Sequence, residues 1–121
     1  MIKRLLFIAI LFFQTTTILS QDLLQSGPMV GYSTMREALL WVQTTETAEV
    51  YFEYFDKENP NQRYATDSYT TKAQYGFVAK LIADQILPGK VYGYELFIKG
   101  QKVKKSYPME FQSQTLWQWR T

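Results

Sequence analysis

Glu49-Val50-Tyr51-Phe52-Glu53-Tyr54-Phe55 is the stretch of this 121-residue chain that decides the fold. In an extended backbone Val50, Phe52 and Tyr54 fall on one side and Tyr51, Glu53 and Phe55 on the other, the period of two that marks a half-buried β-strand. Outward from it, every segment after the amino terminus is short, rich in β-branched and aromatic residues, and bounded by turn residues, which favours strands over helices. Seven strands are predicted. They cover 31–34 after Ser26-Gly27-Pro28, 37–44 with Leu39 and Trp41 on one face, 49–55, a polar edge segment over 62–71, the alternating Phe77, Ala79 and Leu81, then 91–99 and 102–112. Asp56-Lys57-Glu58-Asn59-Pro60-Asn61 reads as a polar turn, Pro88-Gly89 as a sharp connection, and Gly100-Gln101 as a tight hairpin turn. A helix from Phe77 to Ile86 would be cut short by Pro88. Strands about a dozen residues apart, with turns between them, predict an all-β, two-sheet sandwich.

The amino terminus reads differently. Met1-Ile2-Lys3-Arg4 precedes an apolar run from Leu5 to Phe13 that breaks at Gln14-Thr15-Thr16-Thr17. A basic start and a run well short of the roughly 20 residues of a membrane span predict an export signal, cleaved after Ser20. The expected layout is a signal peptide over 1–20, a sandwich over 21–114 and the start of a linker over 115–121, in a secreted or periplasmic protein with no membrane association after cleavage. Taking Lys3 and Arg4 from the thirteen basic residues leaves eleven against eleven acidic ones. Such a neutral domain is a poor fit to nucleic acid, which rewards dense positive charge.

The chain has no histidine and no cysteine. That inventory removes Ser-His and Cys-His nucleophile pairs, the common zinc arrangements and any disulfide framework, and it points away from catalysis. A carboxylate site for Ca²⁺ or Mg²⁺ around Asp56, Glu58, Asn59 and Asn61 fits no established calcium loop, and a self-capping turn explains those residues better. Glu46 and Glu49 could pair before the third strand, but paired glycosidase acids need a cleft and a raised pKa, of which the sequence gives no sign. Lys99, Lys102, Lys104 and Lys105 read first as guards against edge-to-edge pairing. Aromatic residues make up 17% of the chain. Tyr51, Tyr64, Tyr69, Tyr75, Phe97 and Tyr107 exceed what one small core absorbs, so some are expected on a surface.

Ile86-Leu87-Pro88-Gly89-Lys90-Val91-Tyr92-Gly93-Tyr94 resembles the fibronectin type III pattern in which Pro-Gly and a tyrosine lead into the sixth strand. The resemblance implies a seven-stranded fibronectin III or immunoglobulin-like sandwich. In it Pro88 and Gly89 form the corner and Tyr92 is the tyrosine that closes it. Trp41 would be the core tryptophan, costing about 3–5 kcal/mol to truncate. More narrowly, Ser26-Gly27-Pro28-Met29-Val30-Gly31, Leu39-Leu40-Trp41-Val42-Gln43-Thr44, and Phe77-Val78-Ala79-Lys80-Leu81 running into Pro88-Gly89-Lys90-Val91-Tyr92-Gly93-Tyr94 are similar to the amino-terminal domain of PhoD-type metallophosphoesterases, the alkaline phosphatase D family.

That resemblance implies an accessory domain with no catalytic, cofactor or metal residues of its own, since in this family the metal ions belong to a following hydrolase domain. Leu116-Trp117-Gln118-Trp119-Arg120-Thr121 would lead into such a domain, with Phe97, Trp117 and Trp119 as interface anchors. The competing expectation is a non-catalytic binding module for carbohydrate or a surface protein.

Overall fold

A computed structural model describes residues 23–115. The expected signal peptide, Trp117 and Trp119 lie outside the described residues. Nine strands follow in order within them: β1 (Leu24–Ser33), β2 (Ala38–Thr44), β3 (Glu49–Asp56), β4 (Arg63–Ala65), β5 (Tyr69–Thr70), β6 (Val78–Ala83), β7 (Val91–Ile98), β8 (Gln101–Val103) and β9 (Glu110–Gln112). They form two antiparallel sheets, a small one ordered β1-β2-β6 and a larger one ordered β4-β3-β7-β8, with β5 also on β3 and β9 also on β7. The expected all-β sandwich is the observed architecture.

Period-two alternation builds the core between the sheets. Ala38, Leu40 and Val42 of β2 and Ala79, Leu81 and Ala83 of β6 face Val50, Phe52 and Tyr54 of β3 and Tyr92, Tyr94, Leu96 and Ile98 of β7. Phe52 meets Tyr94 edge-on at 5.9 Å, and Tyr92 stacks on Phe111 of β9 at 5.4 Å. Burial pushes the Tyr94 hydroxyl up to about 12, because a phenolate is disfavoured away from water.

Hydroxyl groups hold the two ends of this core. At one end the hydroxyls of Thr44 and Thr71 lie 2.7 Å apart, and Thr71 also accepts from the Ala48 amide at 3.0 Å. At the other, Tyr54 accepts from the Gln85 amide at 2.9 Å and Tyr92 from the Leu87 amide at 2.7 Å, fixing the connection from β6 to β7. Gly89 in that connection has a φ of +71°, a left-handed conformation that suits glycine, and a Cβ there would stand 2.8 Å from the Thr115 side chain.

Several boundaries differ from expectation. The first strand is ten residues long rather than four. The polar 62–71 segment gives two short pieces, β4 and β5. The last strand is likewise split into β8 and β9, with Pro108, which has no N–H to donate, in the gap. Tyr107 ties that gap to β1 by donating to the Pro28 carbonyl at 2.9 Å. The hairpin turn is Lys99-Gly100, one residue earlier than expected, with φ of 51° and 78°. Two residues of positive φ make the turn whose twist matches a two-residue hairpin. Phe77 has a φ of 57° and precedes β6 rather than joining it.

Tyr92→Phe keeps the ring and strands the Leu87 amide. The expected loss is about 1–2 kcal/mol, read in urea unfolding as a lower midpoint at unchanged slope.

Candidate functional site: the outer face of the small sheet

Trp41 does not sit in the core. Ala38, Leu40, Val42 and Thr44 occupy every inward position of β2, so the same alternation turns Leu39, Trp41 and Gln43 outward. Leu39 and Trp41 do share a face, but it is the outer one. Trp41 is half-buried there, its ring against Gly27, and truncating it removes less buried surface than a core tryptophan would.

Register assembles an apolar surface around it. Trp41 pairs with Met29 of β1 and Lys80 of β6, Leu39 with Tyr32 and Ile82, and Gln43 with Val78. Directly paired residues of antiparallel strands project on the same side. Met29 remains 50% exposed, Tyr32 43% and Ile82 36%, so the face is open to solvent. Beside it, Trp41, Tyr69, Tyr75, Val78 and Lys80 line a shallow groove. Gln43 is committed locally, donating to the Gly76 carbonyl at 2.9 Å.

The outer face of the larger sheet is built in the opposite way. Phe97 stacks on its cross-strand partner Tyr51, with centroids 4.9 Å apart and planes 2° from parallel. Arg63 lies over the Phe55 ring at 4.6 Å, and that ring rests on Gly93, where a Cβ would come within 2.5 Å of it. Arg63 and Lys102 both reach the Glu95 carboxylate, at 2.9 and 3.1 Å. Phe97 is therefore committed to a ring partner inside an ionic surface. The sheet that sequence reasoning left without an interface residue carries the open apolar face; the signal was Leu39 and Trp41 taken together with the inward set Leu40 and Val42.

The other candidates resolve into local structure. Asp56 accepts from the Glu58 amide at 3.0 Å and pairs with Lys90 at 3.2 Å, so the acidic loop caps itself. The Glu58 amide is the main cause that holds the Asp56 carboxyl below its usual range, with Lys90 adding to it. Glu46 pairs with Lys99 at 3.6 Å. Among the described residues no cluster of three or more His, Cys, Asp or Glu side chains is placed to hold a metal ion.

Two sheets of this order define a β-sandwich of the fibronectin type III or immunoglobulin-like class. Within that class, a family model described as a domain of unknown function, DUF7800, matches residues 21–116, and the chain belongs to that family. Solved structures extend the likeness in fold. The long form of the sensor domain of the anti-sigma factor RsgI4 of Pseudobacteroides cellulosolvens superposes with a TM-score of 0.58 at 15% identity, covering 76% of this chain and 89% of that one. Its short form gives 0.55 at 13% identity, covering 76% and 100%. PhoD gives 0.53 at 16% identity over 62% of this chain and 16% of PhoD. No curated protein sequence matches.

The ionic face yields a pH prediction. Burial alone would raise the Glu95 carboxyl, but hydrogen bonds from Arg63 and Lys102 outweigh it and hold the group below its usual value. A depressed folded value contributes stability above the unfolded value and loses it as pH falls through the folded one. Glu95→Gln should therefore cost about 0.5–1 kcal/mol at neutral pH. The difference from wild type should close on acidification below the ordinary carboxylate range, as followed by thermal unfolding.

Proposed function

We propose that this chain is a non-catalytic accessory domain of an exported PhoD-type phosphoester hydrolase, and that its small sheet packs against the hydrolase domain. The open apolar face around Leu39, Trp41, Met29, Tyr32 and Ile82 carries the reading. Soluble sandwiches normally turn polar residues outward, and a contiguous apolar face marks a surface that another protein covers. Of the sequence pieces similar to the PhoD family, 26–31, 39–44 and 77–81 fall on or beside the strands of this sheet, while the last of them runs on through 88–94 into β7 of the larger one. The likeness to PhoD spans only 16% of that protein, as expected of one accessory part beside a larger one. Metal-dependent chemistry belongs to the hydrolase domain, since this chain has no histidine or cysteine.

A second reading, a sensing module, is favoured by the fuller mutual coverage with the RsgI4 sensor domain. In it the same sandwich receives a ligand rather than supporting an enzyme.

The first reading is tested on two levels. The chain alone should hydrolyse no phosphoester with Ca²⁺, Mn²⁺, Zn²⁺ or Fe³⁺, and metal-dependent turnover from it would overturn the reading. In analytical ultracentrifugation the chain should self-associate through its uncovered face, and Leu39→Lys with Ile82→Lys should return it to monomer. A sharp wild-type monomer at high concentration would count against the face as an interface.

A further inference from the structure

A second concave surface lies at the end of the sandwich where β6 crosses to β7, away from the apolar face. It is a groove of about 470 Å³, lined by Asp56 at the end of β3, Asn59 and Gln62 from the β3–β4 loop, Tyr64 of β4, Gln85, Ile86 and Leu87 from the β6–β7 connection, and Tyr92. That volume lies within the roughly 300–1,000 Å³ of small-molecule sites.

Both walls are fixed before any ligand arrives. The Gln85 and Leu87 amides are held by the Tyr54 and Tyr92 hydroxyls. Across the groove, the Asn59 amide donates to the Asp56 carbonyl at 2.9 Å and the Gln62 amide to the Asn59 carbonyl at 3.3 Å. Fixed walls lower the ordering cost of binding.

The chemistry of the lining selects a ligand class. Asn59 and Gln62 share one side-chain hydrogen bond at 3.3 Å, which uses an Asn59 donor and the Gln62 carbonyl oxygen. The Asn59 carbonyl oxygen, both Gln62 side-chain N–H groups and the whole Gln85 amide are then the donors and acceptors in the lining. Asp56, the one carboxylate in the lining, is paired with Lys90, which also reaches Glu58 at 3.5 Å, and no cationic side chain lines the groove to receive an anion. Leu87, 55% exposed, and the half-buried Tyr64 ring supply an apolar floor.

Planar amides and apolar side chains lining one groove suit a ring that carries vicinal hydroxyls on its edge and C–H groups on its face. We propose that this groove binds a neutral sugar unit of a glycan, with Gln62 and Gln85 as the hydrogen-bonding pair and Leu87 and Tyr64 beneath the ring. The site is independent of the packing assigned to the small sheet.

The test is an amide-detected NMR titration of the exported protein with maltohexaose, cellohexaose, xylohexaose and chitohexaose, and with an uncharged hexapeptide as comparison. Saturable shifts of the Gln62 and Gln85 side-chain amides with at least one oligosaccharide are expected. Gln62→Ala with Gln85→Ala should weaken that binding at least about tenfold, while the unfolding midpoint stays within its error. Both residues are exposed, so the double variant should fold. No shift with any of the four sugars at roughly millimolar concentration, or shifts with the hexapeptide alone, would overturn the proposal.

Discussion

The crossing from β6 to β7 is where the small sheet hands the chain to the large one, and two core tyrosines hold it. Tyr54 and Tyr92 keep their rings between the sheets and send their hydroxyls to the backbone amides of Gln85 and Leu87. Each ring buries apolar area while its polar tip satisfies an amide that no strand ladder reaches. Ser113 completes the fastening, accepting from the Lys90 amide at 3.0 Å and donating to the Leu87 carbonyl. If this corner loosened, β7 would lose its phase against β3, and a slip of one residue would turn Tyr92, Tyr94, Leu96 and Ile98 out of the core.

Once that phase is set, the two outer faces follow from what remains on the outward positions. On the larger sheet those positions carry Glu53, Glu95, Arg63 and Lys102 among aromatic rings, and charges and rings satisfy one another at the surface. On the small sheet they carry Leu39, Trp41, Met29, Tyr32 and Ile82, with Lys80 facing Trp41. The core does not demand large apolar side chains there. Their presence costs solubility, and the packing proposed for this face would be the physical compensation.

Much of the fold was legible because period-two patterning is a local signal. The strand around Val50, Phe52 and Tyr54, the inward phase of Ala79 and Leu81, and the Pro88-Gly89 corner all follow from residue order alone. The face of Trp41 was not, because a large aromatic ring fits a core or an interface equally well by type. Only counting Leu40, Val42 and Thr44 as the inward set decides it. The groove near Gln85 was also hidden: its two walls are more than twenty residues apart in sequence, and exposed amides carry no periodic signature.

With no cysteine to staple it, the sandwich depends on polar fastenings, most of them at its two ends, with the Thr66 hydroxyl accepting from the Phe52 amide at 3.0 Å between those ends. Thr44, Thr71 and the Ala48 amide close the end near the start of β3, while Tyr54, Tyr92 and Ser113 close the end near its finish. Between them Leu40, Val42, Val50, Phe52, Leu96 and Ile98 are wholly apolar and buried. Among the described residues no buried side-chain polar atom lacks a hydrogen-bond partner. A buried hydroxyl left unpaired would cost about 1–3 kcal/mol, so satisfaction at both ends keeps these groups from eroding what the apolar middle contributes. It also gives them direction: hydroxyl-to-amide bonds fix where each loop leaves the core, which apolar contact alone cannot do. Position is what the loops at the β6–β7 end need, since their side chains form the walls of a groove.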